Sequence, residues 1–531
     1  MEFNHADLFE GIADAIGERV ALVCAGPDGD GPRLTYAELD AHANRLAHHL
    51  EAAGVRAGQH VAVQLYNCLE YAAAILAALK IRAVPINVNY RYVESELRYL
   101  YRDSDAAALL YDVEFEERVA AAAPAAPRLR HLIAVGGPPG IPGAVAYDEA
   151  LRGRPATRGF PPRSADDTYI IYTGGTTGMP KGVMWGMKDL LLAFYNPTLP
   201  RPERPEDVVE QARSGGPLVM MPVAPLMHGA AQMATFIGWF MGATIVYLRR
   251  FDPDAVWRTI ERQRVNSLTV TGDAMARPMA DALARGSYDT SSLLVFVSTG
   301  AILTGAVRDR LGELLPGVAI MDRFGSTESG STAEAVAGSA PEKGLRFAAD
   351  VDDVAVLDER LEPVKPGSGV IGQVARTGHI ARGYYKDPEK TARTFPVVNG
   401  RRWLLTGDIA TVEEDGSITV FGRGSQVINT GGEKVFPEEV EAVLKGHPKV
   451  FDAVVTGVPD ERWGSRVAAV VQPYGDAAPT PEELDAHCRA NLSGYKVPRT
   501  YAFVAEVKRS PAGKADYRWA RRIAEEAGRR T

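Results

Sequence analysis

The segment YTGGTTGMPKGV, residues 172–183, follows a strand-like run at residues 168–171 and combines glycine, threonine and lysine. Its glycines let the backbone approach a ligand closely, the threonines add hydroxyl donors, and Lys181 adds a mobile cation. Pro180 precedes the lysine and no Ser or Thr follows it, so the segment is not a P-loop. The pattern predicts a loop that holds a polyphosphate, with a flexible surface loop as the alternative. The residues expected to line it are Thr173, Gly174, Gly175, Thr176, Thr177, Gly178 and Lys181.

Helical and strand-like patterns alternate on both sides of this loop. Thr35 and Glu38 form a capping box ahead of apolar residues at helical spacing, and further strand-like and helical segments follow in turn. Such alternation is typical of α/β proteins with largely parallel sheets. The pattern restarts as a compact α+β unit after about Gly424. We therefore predict a large N-terminal α/β domain at residues 1–424 and a small C-terminal α+β domain at residues 425–531.

One stretch without formal charge, residues 215–248, is long enough to cross a membrane. Its prolines and glycines divide it into strand, helix and strand, as in a buried α/β core. We therefore expect no integral membrane span. Two stretches rich in proline, residues 120–142 and 197–216, are predicted as surface excursions, and the second is expected to be disordered.

The composition favours a small-molecule substrate. The 531 residues carry a net charge of −8, whereas nucleic-acid binders usually carry a basic surplus. Three distant cysteines, Cys24, Cys68 and Cys488, form neither a disulfide framework nor a zinc-spaced cluster and fit a reducing compartment. The first residues are acidic where an export signal would be basic, so we expect a cytoplasmic protein.

The glycine-rich segment resembles the phosphate loop of the adenylate-forming superfamily, which includes acyl-CoA synthetases, stand-alone adenylation domains and luciferases. Other motifs of that family follow in order over nearly the whole chain. They are APLMHGA (224–230), STGA (298–301), FGSTESG (324–330), GQVARTGHIARGYYKDPE (372–389), LLTGDIA (404–410), FGRGSQVINTGGEKVFPEEVE (421–441) and SPAGKADY (510–517). The resemblance implies an AMP-forming acid–thiol ligase with stacked αβ sheets and a mobile C-terminal domain. Such an enzyme uses ATP, Mg²⁺ and coenzyme A.

The resemblance also implies roles for single residues. Glu328 would hold Mg²⁺ on the phosphates, with Thr176 as a second ligand, because this hard ion prefers oxygen ligands. Thr327 would bind the α-phosphate, and His228 would lie near the acyl site. Lys514 would bridge the carboxylate and the α-phosphate in the first half-reaction.

Further residues are assigned to the nucleotide and to coenzyme A in the same way. Asp408 would accept hydrogen bonds from the ribose hydroxyls, and Arg423 would contact the ribose or a phosphate. Gly431 and Gly432 would line the channel of the pantetheine arm, and Ser425 would be the hinge. The remaining nucleotide-site residues are Gly300, Ala301, Asp322 and Phe324.

Four departures from the family pattern limit these assignments. Gly174 stands where Ser is common, which removes one hydroxyl from the phosphate loop. Phe324 replaces a frequent Tyr, and Ser425 occupies a hinge position where Asp or Lys is usual. Trp185 stands near a position where the family commonly has a Thr-His pair. None of these changes removes an essential charge.

The acid would be selected by a pocket whose residues are inferred from their place relative to the motifs. These residues are Trp185, His228, Gln232, Phe236, Asp273, Met275 and Gly325, and core packing is the alternative for most of them. Glycine, alanine and methionine in these segments predict a roomy apolar cavity. The segments MPKGVMW, VTGDAMARPM and INTGGEKVFPEEVE are similar to actinobacterial ligases for steroid side chains, so a bulky steroid- or terpenoid-derived acid is favoured.

Three alternatives remain open. The chain could make only the acyl-adenylate and pass it to another enzyme or to a carrier-protein thiol, as Ser425 at the hinge suggests. It could be a ligase for medium- or long-chain fatty acids, or a non-catalytic relative that binds ligands. Homodimers are common in similar proteins, so a homodimer is also considered.

Overall fold

The computed structural model describes residues 1–26, 29–174, 179–195, 199–335, 345–349, 353–430, 433–460, 463–475, 478–509 and 514–529. Within these ranges the chain forms two large sheets, three small sheets and the helices that cover them. The predicted α/β class is confirmed for the large N-terminal part.

The first part of the chain alternates helices and strands. The Thr35 hydroxyl accepts from the Glu38 amide and the Glu38 carboxylate accepts from the Thr35 amide, so the predicted capping box starts a helix. The elements are α1 (His5–Ile16), β1 (Val20–Ala25), β2 (Asp30–Thr35), α2 (Tyr36–Ala52), β3 (His60–Gln64), α3 (Leu69–Lys80), β4 (Val84–Asn87), α4 (Glu94–Asp103), β5 (Ala106–Asp112), α5 (Glu116–Ala122), β6 (His131–Val135), β7 (Val145–Ala146), α6 (Tyr147–Leu151), β8 (Thr168–Thr173), β9 (Lys181–Gly186) and α7 (Met187–Phe194).

The stretch without formal charge, residues 215–248, folds as predicted into a strand, a helix and a strand, which are β10, α9 and β11. Among the described residues, no helix has the length and apolar character that a membrane crossing requires. The elements of this part are α8 (Pro205–Ser214), β10 (Val219–Pro222), α9 (Gly229–Phe240), β11 (Thr244–Leu248), α10 (Pro253–Gln263), β12 (Ser267–Val270), α11 (Gly272–Arg285), β13 (Val295–Thr299), α12 (Gly305–Leu314), β14 (Ala319–Ser326), β15 (Gly330–Ala335), β16 (Leu345–Ala349), β17 (Val354–Leu357), β18 (Gly372–Arg376), β19 (Gly383–Tyr384), α13 (Pro388–Thr394), β20 (Val397–Val398), β21 (Arg401–Arg402), β22 (Leu404–Val412) and β23 (Ile418–Arg423).

The C-terminal part is a small α+β unit, as predicted. Pro437 starts one helix, and Thr480 and Glu483 form a capping box at the start of another. The elements are β24 (Ile428–Thr430), β25 (Glu433–Val435), α14 (Pro437–Lys445), β26 (Val450–Asp460), β27 (Gly464–Pro473), α15 (Pro481–Asn491), β28 (Thr500–Phe503) and α16 (Tyr517–Gly528).

The two large sheets share one hydrophobic core. The first has the strand order β17-β18-β22-β23-β16-β15-β14-β13-β12-β10-β11-β1-β2, and the second β19-β9-β8-β4-β3-β5-β6-β7. Strands β10 to β14 pair in parallel, as do β3, β4, β5 and β6. Residues of both sheets and of α1, α2, α3 and α9 form the largest core cluster, which includes Trp185, Trp239 and Trp257.

Two predictions of irregular structure are wrong. Residues 120–142 contain β6, which pairs with β5 and β7 inside the second sheet. Residues 197–216 contain α8, whose Val208 and Ala212 are buried four residues apart on one face. Pro205 occupies the first turn of this helix, where proline is tolerated, so the high proline content hid a helix start.

Candidate active site

Four neighbouring parallel strands, β10, β12, β13 and β14, end at the same edge of the first sheet. Ligand sites of α/β proteins form at the carboxyl ends of such strands. The residues that follow these strands include His228, Asp273, Gly300 and Thr327. The fold therefore brings these predicted site residues, which are distant in the sequence, to one edge.

Two glycines at this edge serve backbone geometry. Gly300 has a φ of 77°, a left-handed conformation that favours glycine over residues with a Cβ. A Cβ on Gly325 would collide with the Gly330 carbonyl, because β14 and β15 approach closely there. Gly325 thus lets the chain turn back tightly around the Thr327-Glu328 dipeptide.

Asp408 of β22 and Arg423 of β23 face each other across an antiparallel pair. Arg423 Nε lies 2.9 Å from Asp408 Oδ1, and Arg423 Nη1 donates to the Thr406 carbonyl at 2.6 Å. Burial raises the pKa of Asp408, and the charge of Arg423 opposes that rise. The pair offers an acceptor for hydroxyl groups next to a fixed cation.

The Thr327-Glu328 turn is held by donors from two other parts of the chain. The Trp185 indole donates to the Thr327 carbonyl at 3.0 Å, and the Tyr384 hydroxyl donates to Glu328 Oε1 at 2.9 Å. The Ala381 amide donates to the Glu328 carbonyl at 3.1 Å. These contacts fix the direction in which the Glu328 carboxylate points.

Two lysines, Lys181 and Lys390, lie close to each other, and the charge of Lys390 interacts with that of Glu328. Lys181 of β9 is ion-paired with Asp387, which precedes α13. Lys390 of α13 lies 3.9 Å from the centroid of the Tyr384 ring. Burial lowers the pKa of Lys390, and Lys181 lowers it further, whereas Glu328 raises it. This cluster of cations is suited to a polyanion such as a polyphosphate.

Lys514 of the C-terminal part is half-buried, and its charge interacts with the charges of Arg423, Glu328 and Asp408 in the large part. Burial lowers the pKa of Lys514 and the charge of Arg423 lowers it further, whereas Glu328 and Asp408 raise it. Charges shift a pKa strongly only at short range. The structure therefore brings the predicted catalytic lysine to the predicted nucleotide residues.

Asp322 and Phe324 lie on β14 next to this site. Burial raises the pKa of Asp322 to about 7, although Arg308 lies 3.5 Å away and opposes the rise. The Phe324 ring packs against Phe347 with centroids 5.2 Å apart. Ala301 is half-buried directly after Gly300.

The residues predicted for the acyl pocket are distributed over the core and its edge. Gln232 is buried, and both ends of its side-chain amide are hydrogen-bonded. Its Oε1 accepts from the Tyr169 hydroxyl at 2.7 Å, and its Nε2 donates to the Tyr71 hydroxyl and to the Leu226 carbonyl. Phe236 is buried beside it. The cavity that Gln232 and Phe236 line together measures about 10 Å³, which is the space of one water-sized sphere. The roomy cavity remains a prediction.

Other residues predicted for this pocket make different contacts. Trp185 is fully buried and holds Thr327, while Met275 is buried and accepts from the Thr271 hydroxyl at 3.4 Å. His228 is the half-buried N-cap residue of α9. The Asp273 carboxylate lies 3.2 Å from Lys445 of the C-terminal part.

Comparisons with known proteins fit this geometry. Residues 9–385 match the family described as AMP-binding enzyme, and residues 439–514 match the AMP-binding enzyme C-terminal domain. The first match alone spans more than half of the chain. The chain belongs to the AMP-binding enzyme family.

Relatives extend over the full length. The chain is 46% identical to a medium/long-chain-fatty-acid–CoA/3-oxocholest-4-en-26-oate–CoA ligase of Mycolicibacterium smegmatis, covering 99% of this chain and 97% of the relative. It is 45% identical to a 3-oxocholest-4-en-26-oate–CoA ligase of Rhodococcus rhodochrous, covering 98% and 96%. The crystal structure of an anthranilate CoA ligase with anthranoyl-AMP has a TM-score of 0.84 at 24% identity, covering 99% and 98%, and shows the shared fold. The predicted resemblance to actinobacterial steroid-acid CoA ligases is confirmed.

A divalent cation would find one suitable ligand among the described residues of this family member. The Glu328 carboxylate is oriented by Tyr384 and lies among cations that a polyphosphate would bridge. A carboxylate together with phosphate oxygens suits Mg²⁺. The described residues contain no group of three or more His, Cys, Asp or Glu side chains placed to hold a metal ion.

Several predicted residues lie outside the described part of the chain. They are Gly175, Thr176, Thr177, Gly178, Gly431 and Gly432. Thr173 and Gly174 are described, and Thr173 pairs with Lys181 at the end of the β8–β9 pair that adjoins the glycine-rich segment. Ser425 lies in a short 3₁₀ turn, Gly424–Gln426, which joins β23 to β24.

Residue patterns did not single out Tyr384, Asp387 and Lys390. All three lie in or beside the segment at residues 372–389, which the family resemblance had marked without assigning roles. The available signal was two tyrosines and two charged residues at 384–387, directly before Pro388 at a helix start. Their partners, Glu328 and Lys181, became visible only in the fold.

Proposed function

We propose that this protein is an ATP-dependent acyl-CoA synthetase. It joins a carboxylic acid to AMP with release of pyrophosphate and then transfers the acyl group to coenzyme A with release of AMP. The observation that carries this function is the charged site formed by the Asp408–Arg423 pair and the oriented Glu328 carboxylate, whose charges interact with that of Lys514. The predicted enzyme class, an acid–thiol ligase, is confirmed by the family and by relatives named as CoA ligases. ATP and coenzyme A are accordingly its co-substrates.

In the first half-reaction the carboxylate oxygen attacks the α-phosphorus of ATP and pyrophosphate leaves. Negative charges meet at the reacting atoms, so preplaced cations lower the barrier. Lys514 supplies a cation between the carboxylate and the α-phosphate. Lys181 and Lys390 attract the outer phosphates, and the Asp408–Arg423 pair fixes the ribose. Mg²⁺, held by Glu328 and Thr176, would neutralise further phosphate charge.

In the second half-reaction the thiol of coenzyme A attacks the acyl carbonyl of the adenylate and AMP leaves. The small domain would rotate about Ser425 and withdraw Lys514, and the segment with Gly431 and Gly432 would line the thiol path. The boundary between the domains, at residues 424 and 425, is part of this proposal.

The proposed acid is a bulky steroid- or terpenoid-derived carboxylate. Support comes from the relatives of Mycolicibacterium smegmatis and Rhodococcus rhodochrous, which are named for 3-oxocholest-4-en-26-oate. The first of these names also includes medium- and long-chain fatty acids, which are the second candidate class. His228, Gln232, Phe236 and Met275 would line the acyl path, which would have to open beyond the small cavity next to Gln232.

Mass spectrometry of reactions with ATP and Mg²⁺ tests the proposal directly. Linear, aromatic, steroid and diterpenoid acids would each be supplied with and without coenzyme A. We expect an acyl-CoA product from a polycyclic acid. If acyl-CoA forms from linear acids alone, the substrate class is fatty acids and the proposed polycyclic acid is wrong.

Accumulation of acyl-adenylate in the presence of coenzyme A would instead indicate an enzyme that needs a separate thiol-transfer partner. The absence of both products with every acid would overturn the catalytic proposal. A cytoplasmic location and a homodimer complete the proposal and are testable by fractionation and by light scattering.

A further inference from the structure

One polar face of α11 contacts the small domain. Asp273, Arg277 and Asp281 are spaced by four residues and therefore lie on the same side of the helix. On the small domain the facing residues are Lys445, at the end of α14, and Tyr474, directly after β27. This contact is separate from the residues around Lys514.

The central contact is a buried ion pair. Lys445 Nζ lies 3.2 Å from Asp273 Oδ2, and the two side chains are only 6% and 11% exposed. The other carboxylate oxygen of Asp273 accepts from the Thr304 amide at 2.8 Å, which fixes its direction. A buried charge is stable only when it is paired, so separating the two partners is costly.

Arg277 and Asp281 extend the contact along the same face. Arg277 is 7% exposed and donates to the Lys445 carbonyl and to the Tyr474 hydroxyl, each at 3.3 Å. The Tyr474 hydroxyl in turn lies 3.5 Å from an Asp281 carboxylate oxygen. Two elements of the small domain are therefore held by one helix of the large domain.

This contact bears on the site because Lys445 and Lys514 belong to the same small domain. Any rotation that withdraws Lys514 from Asp408 and Arg423 would also move Lys445 relative to α11. Such a movement would break the Asp273–Lys445 pair. The contact therefore belongs to the arrangement in which Lys514 reaches the nucleotide residues.

We propose that Asp273, Arg277 and Lys445 are positioning residues for the first half-reaction, because they hold the small domain where Lys514 acts. This inference rests on the proposed function, since it assigns the contact to one of two half-reactions. It also gives Asp273 a role at the domain interface in place of the acyl pocket.

The test compares both half-reactions in Lys445→Met. Acid-dependent exchange of pyrophosphate into ATP should fall by about tenfold, within the range of coupling between distant sites. Attack of coenzyme A on supplied acyl-adenylate should keep the parental rate or exceed it. Asp273→Asn should give the same split, and Lys445→Arg should retain most of the exchange.

Lys449→Met is the matched control, because Lys449 pairs with Glu483 inside the small domain and both are 41% exposed. It should leave both rates unchanged. Equal loss of both half-reactions in Lys445→Met, or unchanged exchange, would overturn the inference. An unmodified protein that shows no exchange with any acid would instead contradict the proposed function.

Small-angle X-ray scattering of the same variants measures the domain arrangement independently of enzyme activity. The Lys445→Met profile should depart from the parental one, whereas the Lys449→Met profile should superimpose on it. Superposition of all three profiles would also overturn the inference. Melting temperatures identify a variant that fails to fold, and Asp273→Asn then supplies the test from the other side of the pair.

Discussion

Lys514 is a cation that the small domain contributes to the residues of the large domain. Lys514→Ala should lower pyrophosphate release by about a hundredfold or more, because it removes a preplaced charge from the reacting phosphate. Attack of coenzyme A on supplied acyl-adenylate should be spared. Half-reaction assays measure both rates. Lys508→Ala is the control, since Lys508 is 65% exposed. Equal loss of both steps would remove the assigned role.

Tyr384 acts on the site through Glu328. Tyr384→Phe keeps the ring but removes the hydroxyl that donates to Glu328 Oε1 at 2.9 Å. A hydrogen bond to a charged group contributes about 1.5–3 kcal/mol, so adenylation should slow by about ten- to a hundredfold. Steady-state kinetics should show the loss in kcat more than in KM for the acid.

The adjacent tyrosine provides a matched control. The Tyr385 hydroxyl donates to Asp105 at the same distance of 2.9 Å, but neither residue is among the predicted or observed site residues. Tyr385→Phe should leave adenylation unchanged. An equal loss in Tyr384→Phe and Tyr385→Phe would show that the Tyr384 contact is not specific to the site.

Sequence motifs predicted the charged side chains of the site but not the side chains that orient them. Asp408 and Arg423 were marked by separate motifs, and their antiparallel strands bring them together. Tyr384 and Glu328 are 56 residues apart, and Lys181 and Asp387 are 206 apart. No local pattern encodes such pairs, because only the packing of whole elements decides which side chains meet.

Among the helices and strands, the sequence predicted those features that depend on residues close together in the chain. Thr35 and Thr480 cap helices as expected because the capping interaction lies within four residues. Helix α8 was missed because Pro205 and the prolines before it resemble those of a loop, and its packing against α1 is a long-range effect. Strand β6 was missed for the same reason, since its partner strand β5 supplies the stabilising contacts.

A buried lysine joins the first three helices. Lys80 at the end of α3 is fully buried, and its Nζ lies 2.6 Å from both Glu10 of α1 and Asp40 of α2. Lys80→Ala should destabilise the protein by about 3 kcal/mol, the lower end for a broken buried pair, because Arg163 still pairs with Glu10 and Arg158 with Asp40. Differential scanning calorimetry should show a clear fall in the unfolding temperature.

An exposed lysine separates this effect from a general loss of positive charge. Lys365→Ala should hardly change the unfolding temperature, because Lys365 lies at the surface. Lys80→Met should remain destabilised despite its similar length, since it restores packing but not the charge. Equal unfolding temperatures for Lys80→Ala and Lys365→Ala would show that the buried pairs contribute nothing.

The restart of the helix and strand pattern after Gly424 predicted a large and a small domain. It did not predict which surfaces of the two domains contact each other. The motifs located Lys514 near the end of the chain and the nucleotide residues far upstream. The segment VTGDAMARPM had marked Asp273 for the acyl pocket, but no pattern in the sequence linked α11 to Lys445. Domain contacts of this kind depend on the assembled surfaces.

The core that joins the two large sheets contains a buried histidine, His5, whose protonation should make the free energy of unfolding depend on pH. His5 of α1 is 1% exposed, and its ring lies edge-on to Phe236 of α9 with centroids 4.7 Å apart. Burial lowers the pKa of His5 to about 3 from an ordinary 6.5. Its Nδ1 has no hydrogen-bond partner among the described residues.

The sign of the pH effect follows from proton binding. Below pH 6.5 the unfolded chain takes up a proton on His5 that the folded protein does not bind until the pH approaches 3, so the free energy of unfolding falls across this window. Between pH 6.5 and 5 this residue accounts for a loss of about 2 kcal/mol. His5→Phe should therefore show a shallower fall in unfolding temperature on acidification, with equal or greater stability at pH 7. Identical slopes for the parent and His5→Phe would show that His5 binds its proton equally in both states.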